Sequence, residues 1–354
     1  MIHPDTLKKD WIEKVAKDNR NADTILVEKA VRALYLLEQL QKNKLNFIFK
    51  GGTSLLLLLH ELKRLSIDID IIIQDKSDNI KVLFDKIIEQ TDFLEYKKDE
   101  REAKSNIEKA HYKFYYEPVT QARPKQEYIL LDILYEASPY SEHVQQTAID
   151  SSFLKSTGDP VTIMLPTCEA ILGDKLTAFA PNTTGVPYGK GKEIEIIKQL
   201  YDIGNLFNVV ENISAIHEVF NRVAEMELNY RDIEDKKPTD VLEDILQTCL
   251  CIATRGKVGN GNFQELQTGI QNIGNFIFSE SFHLERAMLP SAKVAYLSAL
   301  LKSGAKDIER FSDSTDMTDW KIEQVLTNRL NRFKKTNPEA FFYWYQTERL
   351  LMAP

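Results

Sequence analysis

The sequence predicts an α+β protein, a mixed β-sheet with flanking helices followed by an α-helical C-terminal region. Three observations carry that prediction. Apolar residues recur at helical spacing through the first 43 residues, the pattern then switches to short strand-like runs such as "NFIFK" and "IDIDIII", and from about residue 211 onward only helical spacing is left. The composition fits a folded globular chain: 43% hydrophobic and 28% charged residues, with only 14 glycines and 12 prolines, exclude disordered and fibrous classes. At 354 residues the chain has room for roughly two domains of ordinary size.

Taken in order, "TLKKDWIEKVAKDN" and "ADTILVEKAVRALYLLEQLQK" predict two helices, the second with Ile25, Val27, Ala30, Val31, Leu34, Leu37 and Leu40 near helical spacing. "NFIFK" predicts a short buried strand, "GGTS" a turn and helix start, "LLLLLHELK" a helix apolar on nearly every side, and "IDIDIII" a second strand. A helix follows around Asn79 to Glu89, then strands at "AHYKFYYEPV" and "EYILLDILYE", whose aromatic and β-branched content suits a sheet. After residue 160 the strand signal fades. Thr167 reads as an N-cap for the helix "CEAILGDKLTAFA", a Gly- and Pro-rich loop "PNTTGVPYGKGKE" follows, and "EIEIIKQLYDIGNLFNVV" resumes helical spacing. The expected division is residues 1–45 as N-terminal helices packed on the core, 46–210 as a mixed α/β core, and 211–354 as an α-helical domain.

Composition also narrows the chemistry. Cys168, Cys249 and Cys251 are an odd count without paired spacings, so no disulfide framework is expected, and Cys249 and Cys251 read as filling for a helix core. The chain start lacks an apolar leader and no run reaches the length of a membrane span, so a cytoplasmic protein is expected. A net charge of −8 argues against a surface coated with nucleic acid but leaves room for a local basic groove. Lys97–Lys125 carries eight basic against five acidic residues, and Trp320–Thr336 five against one. Each stretch reads either as such a groove or as a solvated face.

The chemistry-bearing segment runs from Phe49 to Ile73. Asp68 and Asp70 lie two apart in a predicted strand, which puts both carboxylates on one face while Ile67, Ile69 and Ile71 point to the other. Like charges so close repel unless cations or donors neutralise them, and such oxygen ligands suit Mg2+ or Mn2+. Read alone, the alternation also describes an amphipathic strand with a wet face. Gly51 and Gly52 ahead of Thr53 and Ser54 offer a close backbone approach, first-turn N–H groups and hydroxyls, the makings of a phosphate seat, although a plain capped turn explains the four residues too. The spacing matches neither a P-loop nor the dinucleotide-binding glycine pattern. The combination is more specific: strand, Gly-Gly-Thr-Ser, apolar helix, then Asp-x-Asp on the next strand, fourteen residues from Ser54 to Asp68.

That combination resembles the signature of the DNA-polymerase-β-like nucleotidyltransferase superfamily. The wording "FKGGTSL…KRLSIDIDI" resembles the AbiEii family, the toxin component of type IV toxin–antitoxin and abortive-infection systems. The resemblance spans Phe49 to Phe207 and implies a nucleotidyltransferase-type sheet. It further implies a third carboxylate at Asp132 in "YILLDILYE", a phosphate-contacting lysine at Lys175, and a basic residue and aspartate at Lys198 and Asp202. Lys175 also reads as an ordinary helix lysine, and Lys198–Asp202 as a surface pair one turn apart. By the same implication Asp68, Asp70 and Asp132 hold metal, with Asp132 alternatively taking the acceptor's proton. Gly51, Gly52, Thr53, Ser54, Lys175, Lys198 and Asp202 bind the nucleoside triphosphate, and Arg64 and Ser66 support the pocket. The implied reaction (EC 2.7.7 type) joins a nucleoside monophosphate to an acceptor hydroxyl, notably the 3′ end of an RNA such as tRNA, with an antitoxin that need not touch the toxin. Two alternatives stand beside it: a small-molecule or protein hydroxyl as acceptor, and a catalytically silent nucleotide-binding module. Phe333, Phe341, Phe342, Tyr343 and Trp344 offer stacking surfaces for RNA or, more simply, core packing; the loop "GVPYGKGK" is either a closing flap with Lys190 and Lys192 or a linker.

Overall fold

The computed structural model describes residues 1–59, 64–76, 79–100, 108–121 and 125–353. The chain divides into two compact units, one formed by 1–167 with 275–281, the other by 168–274 with 282–354. The division at Thr167/Cys168 lies ahead of the boundary expected near residue 210, and residues 1–45 share one core with the sheet that follows them.

The first unit opens with α1 (Lys9–Asp18) and α2 (Thr24–Lys42). Asp23 starts α2 by accepting from the backbone N–H groups of Ile25 and Leu26 at 2.8 and 3.2 Å, which satisfies two of the orphan donors of a helix start. Then come β1 (Ile48–Lys50), α3 (Leu55–Leu58), β2 (Ile69–Ile72), α4 (Ile80–Gln90), β3 (Glu95–Lys98), β4 (Lys109–Tyr116), β5 (Glu127–Leu134), β6 (Val144–Ala148) and β7 (Thr162–Pro166). The strands form one seven-stranded mixed sheet in the order β3-β4-β5-β2-β1-β7-β6. β1 runs antiparallel to β2, while β2 lies parallel to β5 and β1 parallel to β7. Period-two alternation sorts the faces: Ile129, Leu131 and Ile133 of β5 are buried with Phe84, Phe114, Val27, Val31 and Leu34, whereas Leu130, Asp132 and Leu134 lie on the other, half-open face.

The structure contains three strands the sequence did not announce. β3 ("EYKK") and β6 ("VQQTA") are the two sheet edges, where polar residues replace an apolar run, and β7 ("TIMLP") is five residues ending in proline. The leucine-rich helix is shorter than expected. α3 is a single turn, and Leu59 leaves it with an extended backbone (φ −99°, ψ 122°). The remaining part of that expected helix, His60–Lys63, lies outside the described residues, as do 101–107 and 122–124 of the first basic stretch.

The second unit is helical: α5 (Cys168–Ala178), α6 (Glu193–Leu206), α7 (Ile213–Tyr230), α8 (Pro238–Ala253), α9 (Phe263–Asn272), α10 (Leu284–Ser303), α11 (Phe333–Thr336) and α12 (Pro338–Met352). α5 packs closely on α7 at Gly173, where a Cβ would stand 2.9 Å from the backbone of both Ile216 and Phe220. Cys249 and Cys251 are buried in α8, and burial pushes both thiols up, Cys251 to about 11. Among the described residues no helix is long and apolar enough to cross a membrane.

Candidate active site

The register of the sheet brings two of the three expected carboxylates, Asp70 and Asp132, into one row, while Asp68 lies outside it. Lys50 on β1 is the Cα partner of Asp70 on β2, Asp70 that of Asp132 on β5, and Asp132 that of His111 on β4. Residues opposite one another on adjacent strands project from the same face about 5 Å apart, so Asp70 and Asp132 stand side by side although 62 positions separate them in sequence. Both are half-buried. Asp68, just ahead of β2, is exposed. His111, which sequence reasoning missed, brings Nδ1 to 2.7 Å from Asp132 Oδ1.

The glycine turn is built against this row. Gly51 has φ +77°, and a Cβ there would run into the Asp70 carboxylate, with Cγ only 2.9 Å away. A Cβ on Gly52 would stand 2.8 Å from Ser66 Oγ and 2.9 Å from Arg64 Nη2. Glycine is required at Gly51, where φ is positive and Asp70 fills the space, whereas at Gly52 a Cβ would have to shift the ends of the Ser66 and Arg64 side chains. Arg64 is buried and tied down, Nη1 donating to the Leu65 carbonyl at 3.0 Å, and its strand-like bridge to Ile277 holds the segment ahead of the carboxylates.

The hydroxyls of this turn do not reach outward. Thr53 and Ser54 are fully buried; Thr53 Oγ1 donates to the Asp68 carbonyl at 2.5 Å and Ser54 Oγ to the Gly51 carbonyl at 2.7 Å. They fasten the turn to the carboxylate segment and close it on itself. The backbone tells another story: the N–H groups of Gly52, Thr53 and Ser54 have no acceptor among the described residues. An anion-binding turn offers its donors in this way. A cavity of about 530 Å³ lined by Asn43–Asn46, Ile73, Asp75, Ile80, Lys86 and Tyr135 lies at the other end of β2 and β5 and includes none of these residues.

In the second unit, Lys175 on α5 pairs with Asp202 on α6 at 2.7 Å, and its ammonium also donates to Gln199 Oε1 at 3.3 Å. Lys175 and Asp202 are 7% and 2% exposed. A buried ion pair of this kind is poor value for stability, since desolvation offsets much of the attraction, and so it invites a functional reading. Lys198 bonds Glu195 one turn back at 2.8 Å. The loop after α5 is held by Gly189 N–H donating to Glu265 Oε2 at 2.8 Å, with Lys190 and Lys192 exposed beyond it.

The expected aromatic RNA contacts, and part of the basic stretch beside them, are spent inside the second unit. Phe333, Phe341, Phe342, Tyr343 and Trp344 are all buried, so the aromatic run is core and presents no stacking surface. In the basic stretch near it, Arg332 donates to the Ala253 carbonyl at 2.6 Å and Lys334 to the Trp320 carbonyl at 3.1 Å.

Among solved structures, the chain is similar to JHP933 from Helicobacter pylori, at 14% identity over 78% of this chain and 93% of that one, with a TM-score of 0.46. It is also similar to MenT4, a nucleotidyltransferase toxin from Mycobacterium tuberculosis, at 10% identity over 94% and 98% of the two chains and a TM-score of 0.44. A search of curated proteins finds no match. The family model for the nucleotidyl transferase AbiEii toxin of type IV toxin–antitoxin systems, by contrast, matches residues 32–249, which include the glycine turn, all three carboxylates of the expected site and the Lys175–Asp202 pair. With more than half of its length under that match, the chain belongs to the AbiEii nucleotidyltransferase toxin family.

Proposed function

We propose that this protein transfers a nucleoside monophosphate from a nucleoside triphosphate to a hydroxyl at the 3′ end of an RNA, such as a tRNA, and acts as the toxin of its system. The observation that carries the reading is the row Asp70–Asp132 with the glycine turn folded against Asp70. Half-buried oxygen ligands side by side, and the exposed Asp68 two residues away, fit Mg2+ or Mn2+ and offer nothing to a softer metal. A divalent cation held by Asp68, Asp70 and Asp132 would supply charge neutralisation at the phosphates.

The remaining chemistry falls to the protein's own groups. The amides of Gly52, Thr53 and Ser54, which have no acceptor among the described residues, hold the triphosphate tail without the two hydroxyls. Asp132 is assigned to the acceptor hydroxyl and takes its proton. As the acceptor oxygen bonds to the α-phosphorus, the bond to the bridging oxygen breaks and pyrophosphate leaves. Within the second unit, Asp202 and Gln199 keep the Lys175 ammonium oriented, and Lys175 is assigned to phosphate. Lys198 is assigned to the nucleotide end.

The test incubates the protein with each labelled nucleoside triphosphate, Mg2+ and total cellular RNA, beside Asp68→Ala and Asp70→Ala. Label on RNA with wild type alone is the expected result. A second reading, transfer to a small molecule or a protein hydroxyl, draws support from the net charge of −8, and label on those acceptors but not on RNA would establish it. Nucleotide binding without metal or transfer would leave only a binding module.

A further inference from the structure

We propose that His111 is a positioning residue for Asp132, fixing the carboxylate that ends the acidic row. The inference rests on the reading of Asp132 as a cation ligand. On β4, His111 is the cross-strand partner of Asp132, with Nδ1 2.7 Å from Oδ1; the two side chains are 19% and 28% exposed. An ionised carboxylate only accepts, so Nδ1 carries the hydrogen and donates it. No other partner of the His111 side chain is recorded among the described residues.

A carboxylate on a short side chain turns about a broad terminal torsion. Asp132 has strand neighbours Leu131 and Ile133 buried on the opposite face, and a hydrogen bond on Oδ1 selects one orientation and leaves Oδ2 available to a cation. β4 is itself anchored at this position, because the His111 carbonyl accepts from Asp99 N–H at 2.7 Å. The imidazole thus stands on a fixed strand and transmits that fixity to Asp132. Partners of this kind, one step removed from the metal, typically alter metal affinity or activity by about 10–100-fold. An ordinary cross-strand pair would alter neither.

The experiment measures Mn2+ binding to the purified full chain by electron paramagnetic resonance, together with the metal dependence of transfer. It compares wild type with H111F, H111N, D132A and H111F/D132A. Phenylalanine keeps the ring volume without the N–H; asparagine puts an amide donor close to where Nδ1 stands. The expected result is Mn2+ affinity weakened about 10–100-fold in H111F and recovered to within a few-fold in H111N. KM for the nucleotide at saturating metal should stay as in wild type, and the double variant should bind Mn2+ no worse than D132A. Equal losses in H111F and H111N would assign His111 a packing role and overturn the proposal. So would wild-type affinity in H111F beside an impaired D132A. If D132A itself binds Mn2+ and transfers label like wild type, the reading of Asp132 falls first and the role of His111 falls with it.

Discussion

Gly51 and Gly158 both have positive φ, +77° and +61°, yet what surrounds them differs. At Gly158 an added Cβ would meet nothing within 4 Å; at Gly51 it would meet the Asp70 carboxylate. Alanine at either position bears the backbone penalty, about 1–3 kcal/mol. Only Gly51→Ala must also displace Asp70, so it is expected to abolish transfer while Gly158→Ala transfers label at the wild-type rate. Thermal unfolding and label transfer on both variants check this, and comparable activity in the two would remove Gly51 from the site. The glycines, Asp68 and Asp70 were singled out by spacing, because a strand period or a turn acts locally, whereas Asp132 was implied only by the family resemblance. His111 was not legible, since its meaning depends on pairing with a strand 21 residues on, which no local pattern encodes. The Thr53 and Ser54 hydroxyls were read as outward donors for a similar reason: the sequence does not show that the Asp68 carbonyl would claim one of them.

At the scale of elements, two buried carboxylates hold irregular segments of the second unit in place. Glu348 on α12 accepts backbone N–H groups from Glu323, Gln324, Val325 and Leu326 at 2.9–3.2 Å, so Glu348→Ala leaves four donors to find water or go unmet. A loss of about 2–4 kcal/mol in urea unfolding is expected. Asp244 on α8 holds the segment after α5 by accepting from Asn182 N, Asn182 Nδ2 and Thr183 Oγ1 at 2.8, 2.7 and 2.9 Å. Burial nevertheless pushes its carboxyl above the ordinary 3.8, the three donors working against the rise. The folded state therefore binds this proton more tightly than the unfolded one. Its contribution to stability is full below 3.8 and is lost as pH rises through the raised value. Asp244→Asn has no such proton, so wild type should lose stability relative to the variant as pH rises above the ordinary carboxylate value in paired urea titrations. A constant difference would show that burial and the donors cancel, and a gain by wild type as pH rises would show that the donors dominate. Neither anchor was visible in the sequence, where each is one acid on an amphipathic helix. The helices themselves were visible, because helical spacing is a property of a single segment, whereas the edge strands β3 and β6 borrow their stability from neighbours.

For the whole molecule, charge and site have to be reconciled. If the acceptor is RNA, as proposed, a chain of net charge −8 offers it little basic surface; several cations of the basic stretches are already engaged, while Lys98, Lys109, Lys125, Arg329 and Lys335 are exposed. Lys97 is paired with Glu95 at 2.7 Å and Lys113 with Asp99 at 3.1 Å, while Arg332 and Lys334 are spent on backbone carbonyls of the second unit. RNA recognition should then involve few phosphates. About three contacts with a single strand give a slope near −2 in a plot of log affinity against log salt, where a protein gripping eight would give nearly −6. Measuring the RNA dependence of transfer between about 50 and 200 mM salt should therefore yield a shallow line. The KM for the nucleoside triphosphate, for which the Gly52–Ser54 amides are the proposed seat, serves as the internal reference. A steep line for RNA would mean that the exposed cations form a groove after all. A shallow one would mean that the acceptor is chosen at its reacting end, by the groups around Asp132, and let go easily once modified.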